Sequence, residues 1–158
     1  RWQYIDGAGE EVIPNIHPAR RSDLRDAAER LAATLAILHG ERSPDIALDI
    51  AADVTLAMDA EDLMELLGNL MDNACAWCRR RVRLSVERGA DLKLLIEDDG
   101  PGYEPSAAAS GVGIAHVTER LQALFGDGAS LDVRSMPEGG TRARLILPLD
   151  DLELLDTP

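Results

Sequence analysis

Apolar positions change their period several times along this chain, and each change marks an element. Leu24, Ala27, Ala28, Leu31, Leu35 and Leu38 recur at steps of three and four, which predicts a helix over 22–39 with Ser22 as N-cap and Gly40 as its stop. Two short alternating segments, 46–50 and 54–58, read as strands on either side of an Ala-Ala-Asp turn. Leu63, Leu66, Leu67, Leu70, Met71 and Ala74 form the inward stripe of a second helix over about 60–77. Val82, Leu84 and Val86 alternate with charged residues, as do Leu92, Leu94 and Ile96 beyond Gly89-Ala90-Asp91, so a hairpin follows. A third helix is predicted over 113–125, with Ile114, Val117, Leu121 and Leu124 inward and Gly126 ending it. Strands over 130–135 and 142–148, joined by Pro137-Glu138-Gly139-Gly140, complete the pattern.

The sum is an α+β sandwich, a mixed sheet of about five strands with three main helices on one face. One domain is expected over 21–149, preceded by a loop or short edge strand in 1–20 and followed by an acidic tail over 150–158. The stretch 103–110, small and rich in alanine, reads as a loop.

The chain has 158 residues, enough for one domain with a real core, and its 3% aromatic content requires that core to be aliphatic. A formal net charge of −13 disfavours nucleic acid and anionic membrane as partners. No apolar run has the length of a membrane span and no signal peptide is read, so a cytoplasmic domain is expected. A start at Arg1 without methionine suggests a piece of a longer chain, with any sensor or membrane part outside it. Cys75 and Cys78 are the only cysteines. A zinc site would need two more ligands and a redox pair is expected at a helix N-terminus, so these read as small buried hydrophobes in a reducing compartment.

Candidate chemistry lies where polar residues break the apolar pattern. Glu65, Asn69, Asn73 and Trp77 recur every four residues beside the leucine stripe. Asparagine is a poor interior helix residue, so two in one stripe mark either a solvated face or oxygen ligands for Mg²⁺. Asp98-Asp99-Gly100-Pro101-Gly102 follows an apolar strand. Its first carboxylate can accept a hydrogen bond from an adenine amino group, and its glycines allow close approach to a flat base, although such residues also build plain turns. Gly111-Val112-Gly113 opens the third helix, whose free N-terminal amides suit a triphosphate, and Thr141 after Gly139-Gly140 can place a hydroxyl under the base.

In this order and spacing, residues 45–148 resemble the catalytic, ATP-binding domain of a bacterial two-component sensor histidine kinase, a member of the GHKL group with the Bergerat fold. The run Gly68 to Cys78 is similar to the N box of kinases of the PhoQ type. The resemblance implies ATP and Mg²⁺ as cofactors, with Asn73, or Asn69 with it, holding the metal and Trp77 beside them. Asp98, Gly100, Gly102 and Thr141 would surround adenine, and Gly111, Val112, Gly113 and Ile114 would line the phosphates. It implies transfer of the γ-phosphoryl group to a histidine on the parent's dimerisation domain, relay to a response regulator, and a homodimeric parent.

Two departures bear on transfer. Ala76 stands where PhoQ-like chains carry lysine, and 103–110 contains no Lys or Arg, leaving Arg79, Arg80, Arg81 and Arg120 as possible substitutes. Three arginines ending a helix also match its dipole. His17, His39 and His116 lack the acidic residue and proline that follow an acceptor histidine in the family, and read as ordinary surface or helix histidines. The alternatives to a kinase are a degenerate nucleotide-binding regulatory domain and a GHKL ATPase or antisigma serine kinase.

Overall fold

The structure, a computed structural model, describes residues 4–5, 11–12, 21–103 and 112–148. Nine short or long strands and three helices occur among them, in the order β1 (Tyr4–Ile5), β2 (Glu11–Val12), β3 (Ser22–Asp23), α1 (Leu24–Leu38), β4 (Asp45–Asp49), β5 (Thr55–Leu56), α2 (Ala60–Trp77), β6 (Arg81–Arg88), β7 (Asp91–Asp98), α3 (Val112–Phe125), β8 (Ser130–Ser135) and β9 (Thr141–Pro148). Most of 1–20, including His17, together with 104–111 and the acidic tail, lie outside the described residues.

A five-stranded sheet in the order β4-β6-β7-β9-β8 carries the fold; β4 runs parallel to β6 and every other neighbour is antiparallel. Strand alternation sends Val82, Leu84, Leu92, Leu94, Ile96, Ala143, Leu145 and Leu147 to one face, where they join the inward leucines of the helices in a single core. Leu63, Leu66 and Leu67 of α2 are fully buried there, each contributing roughly 2 kcal/mol by burial. The opposite face is charged, with Arg142 paired to Glu97 at 3.0 Å and Arg83 to Asp49 at 2.6 Å. This is the expected mixed sheet covered by three helices on one face.

Several local readings are corrected. Ser22 is not the N-cap of α1: its hydroxyl donates to the Met58 carbonyl at 2.7 Å, and Asp23 caps the helix by accepting from the Asp26 N–H at 3.1 Å. The alternation over 54–58 yields only the two-residue β5, which pairs with β3 outside the main sheet. Leu38 and Leu124, expected inward, are exposed. Arg79, Arg80 and Arg81 follow the last turn of α2 rather than occupying it. Cys75 and Cys78 are buried and free, as read, and burial with the neighbouring Cys78, Asp72 and Asp98 pushes the Cys75 thiol up to about 11, which makes it a poor nucleophile at neutral pH.

Candidate functional site

The site is organised around α2, because the end of β7 and the start of α3 both pack against it and Thr141 joins through its pairing with β7. At its C-terminal end lies the loop that follows β7. Asp98, the last residue of that strand, is buried, and its Oδ1 accepts from the Gly100 N–H at 2.8 Å. Burial pushes this carboxyl above its ordinary range; the N–H groups of Gly100 and Thr141 pull the other way, and the charge of Asp99 adds to the rise.

Two glycines let three backbones meet here. A Cβ on Gly100 would run into the carbonyl oxygen of Trp77, the last residue of α2. Gly140, at φ +92°, lies so close to the main chain of β7 that a Cβ would overlap the Asp98 carbonyl oxygen. Thr141 is held beside the carboxylate by its ladder pairing with Asp98. Beyond Gly102, the Tyr103 N–H donates to Ser135 Oγ at 2.9 Å, and the Ser135 hydroxyl donates back to the Tyr103 carbonyl at 3.0 Å.

One to two turns before that end, the start of α3 packs on α2, and α3 runs antiparallel along it. Gly113, in its first turn, would place a Cβ 3.9 Å from the Asn69 carbonyl oxygen and 3.9 Å from both terminal atoms of the Asn73 amide. Later along the pair Arg120 is ion-paired to Glu65 and lies 3.6 Å from Asp62. Asn69, Asn73 and Ile114 are half-buried and Trp77 is exposed. Among the predicted site residues, the structure therefore gathers Asn69, Asn73 and Gly113 where α2 meets α3, and Trp77, Asp98, Gly100 and Thr141 one turn further along α2, where a Cβ on Gly102 would lie 2.9 Å from Ser135 Oγ and 3.8 Å from the Gly140 carbonyl oxygen. Val112 is the first residue of α3; Gly111 lies outside the described residues.

The suggested cation substitutes have these positions. Arg120 is engaged by Glu65 and Asp62 of α2, and the backbone N–H groups of Arg79 to Arg81 donate to Asp99. His39 is half-buried with Nε2 2.7 Å from Asp72 Oδ1, and His116 is exposed on α3. Two residues that sequence reasoning left without a role belong to the site's frame, Asp99 and Ser135. The doubled aspartate before Gly100 was a signal for the first; a serine at a strand end carried none for the second.

The donor set fits a magnesium nucleotide chemically, since a neutral amide oxygen beside a helix N-terminus suits a hydrated dication and phosphate, and a buried acceptor suits an amino group. Residues 58–151 match the family described as histidine kinase-, DNA gyrase B-, and HSP90-like ATPase. The chain is 31% identical over 155 residues to the sensor protein kinase CarS of Pseudomonas aeruginosa, covering 88% of this chain and 33% of CarS. It is 29% identical over 101 residues to the virulence sensor histidine kinase PhoQ of Salmonella typhimurium, covering 63% of this chain and 20% of PhoQ. It thus spans a third or less of these relatives. The solved mycobacterial sensor histidine kinase MprB superposes with a TM-score of 0.68 at 20% identity, over 82% of this chain and 96% of that one, and so shares the fold. With more than half of its length matched, the chain belongs to the family of histidine kinase-, DNA gyrase B-, and HSP90-like ATPases.

Proposed function

We propose that this chain is the catalytic domain of a sensor histidine kinase, in which a unit over 21–149 binds Mg-ATP and passes the γ-phosphoryl group to a histidine on the dimerisation domain of its parent, for relay to a response regulator. The observation that carries the reading is the double contact of α2, whose Asn73 amide meets the first turn of α3 while its final carbonyl meets Gly100 beside Asp98. One helix thereby joins an end suited to phosphate with an end suited to a base.

In this reading Asp98 accepts from the adenine amino group, with Gly100, Gly102 and Thr141 around the ring and Trp77 at the rim. Val112, Gly113 and Ile114, with Gly111 before them, receive the phosphates at the start of α3. Asn73, with Asn69, holds Mg²⁺, which when bound neutralises charge on the triphosphate. The protein's share of catalysis is positioning and electrostatic stabilisation, and the acceptor comes from outside the chain. Among the described residues no helix is long and apolar enough to cross a membrane; a cytoplasmic domain of an anchored, homodimeric parent is the corresponding placement.

Hydrolysis by this domain should be slow. Asn69 occupies the position one turn before Asn73, and an amide is no general base; Glu65, a turn further back, is held by Arg120. Supplying the parent's dimerisation helices with ATP and Mg²⁺ should give an acid-labile phosphohistidine, while the chain alone releases phosphate slowly. Rapid phosphate release by the chain alone, abolished by Glu65→Gln, would replace the kinase with a hydrolase. The absence of Lys and Arg from 103–110 favours a second reading, a regulatory domain that binds nucleotide without transfer, and binding with no phosphohistidine on the restored helices would select it.

A further inference from the structure

Asp99 has an arrangement unlike its neighbour. Its Oδ1 accepts from three consecutive backbone N–H groups, those of Arg79 at 2.8 Å, Arg80 at 2.9 Å and Arg81 at 3.0 Å, and its own N–H donates to the Arg81 carbonyl at 3.2 Å. These donors become available because α2 ends at Trp77: Cys78 turns out of the helix at φ −62°, ψ 153°, so the following N–H groups have no helical carbonyl to reach. Convergence of successive amides on one oxygen is an anion-binding concavity, filled here by a side chain of the protein itself.

That concavity is needed to keep a carboxylate in this place. The C-terminal end of a helix repels negative charge, and Asp98 is adjacent. Burial also works against the charge of Asp99, yet the N–H groups of Arg80, Arg81 and Arg79 outweigh it and hold the carboxyl below its ordinary range. The result is a clamp between the exit of α2 and the loop that follows β7. Asp99 holds one side of that loop; on the next residue, Gly100 rests against the Trp77 carbonyl.

We propose that Asp99 is a positioning residue for base selection: it locks the Asp98 to Gly102 loop to the end of α2, so that the Asp98 carboxylate stays in register with the asparagines that face α3. This rests on the nucleotide reading above. Adenine presents an amino donor where guanine presents a carbonyl acceptor, so a fixed carboxylate accepts from one and repels the other, whereas a loop free to shift loses the distinction.

The test compares ATP and GTP affinity of the 158-residue chain by calorimetry in Mg²⁺. Asp99→Ala is expected to lower the ATP-to-GTP affinity ratio by about tenfold or more, through loss of three charge-assisted hydrogen bonds. Asp99→Asn keeps an acceptor oxygen without the charge and should fall between wild type and Asp99→Ala; this ordered rescue is not expected of a general loss of stability. Should Asp99→Ala not fold, Asp99→Asn decides alone, with a ratio several-fold below wild type and an unchanged far-UV circular dichroism spectrum. A wild-type ratio in a folded variant, whatever its melting temperature, overturns the assignment. A wild-type chain that binds neither ATP nor GTP removes the nucleotide reading and this inference with it, and one that takes both alike overturns base selection while leaving nucleotide binding in place.

Discussion

The two ends of the site are built by different means. At the base end, backbone meets backbone: Gly100 against the Trp77 carbonyl, Gly140 against the Asp98 carbonyl, and Asp99 across three amides. At the end proposed for phosphate, α2 and α3 meet more loosely, since even a Cβ added to Gly113 would stay 3.9 Å from the Asn73 amide and the Asn69 carbonyl, and a solvent-facing ion pair at Arg120 follows. Main-chain contacts within a sheet and its loops have almost no freedom to adjust, whereas packed helices can tilt or slide slightly. In the proposed reading the base end is therefore expected to be the stiffer of the two, and the phosphate end the one with room to adjust.

The sharpest challenge to this contrast is a single methyl group at the rigid end. Gly140→Ala must place a Cβ into the Asp98 carbonyl at a φ of +92°, so it should cost about 3 kcal/mol of stability and abolish ATP binding. Denaturant unfolding with nucleotide titration would measure both. A variant with native stability would mean that the base end yields as readily as the helices.

Asp98→Asn tests the same end without disturbing its backbone. It should weaken ATP and ADP by about 1–3 kcal/mol, because an amide donor then faces a donor, while the fold persists. Its stability should depend on pH. The folded-state value of Asp98 is raised, so its contribution is full below the ordinary carboxylate range and lost as pH rises through the raised value. Asp98→Asn should accordingly exceed wild type in stability at pH 7, with the gap closing on acidification. Asp99 has the opposite sign: its value is lowered, its contribution is present above the ordinary range and is lost as pH falls through the lowered value. Asp99→Asn should thus be the less stable protein at pH 7. Paired melts across this range would expose any error in either assignment.

At the phosphate end Asn73→Ala should reduce nucleotide affinity several-fold in Mg²⁺ and much less in a chelator, while raising apo stability by about 0.5 kcal/mol through helix propensity. A solvated face would produce the stability change alone. The mildest effect is expected from Gly113→Ala, whose Cβ meets nothing closer than 3.9 Å; it should stabilise α3 by about 0.5–1 kcal/mol and alter ATP affinity only slightly. A loss comparable to that of Gly140→Ala would show the two ends to be equally rigid.

Much of this was legible along the chain. A leucine stripe of eighteen residues defines α2 because its apolar face has one solution at a helical period, and the bounds Ala60–Trp77 match the reading. The hairpin of β6 and β7 was equally plain, since apolar alternation on both sides of a Gly-containing turn points to two paired strands, while the register came from the structure. The misreadings lie where a partner distant in sequence decides. Ser22 has the chemistry of an N-cap but is drawn to Met58, and the capping passes to Asp23. Alternation over 54–58 cannot state that only Thr55 and Leu56 have a strand to pair with. Leu38 and Leu124 follow the period of their helices yet are exposed, and period alone does not reveal which positions find a partner layer.

What the sequence by itself determined is the order of chemical parts, the asparagine stripe, the Asp-Asp-Gly-Pro-Gly turn, the glycines before the third helix and the closing Gly-Gly-Thr, because each is a local pattern with a local physical cost. Only the tertiary structure decided which of them touch. It set Gly140 against Asp98 and Gly113 against Asn73, and it turned Asp99 away from its neighbour toward the amides of Arg79, Arg80 and Arg81. It also tied Arg120 to Glu65. Such choices depend on which backbone groups are left unpaired when helices end and strands align, and this is a property of the assembled fold rather than of any segment read alone.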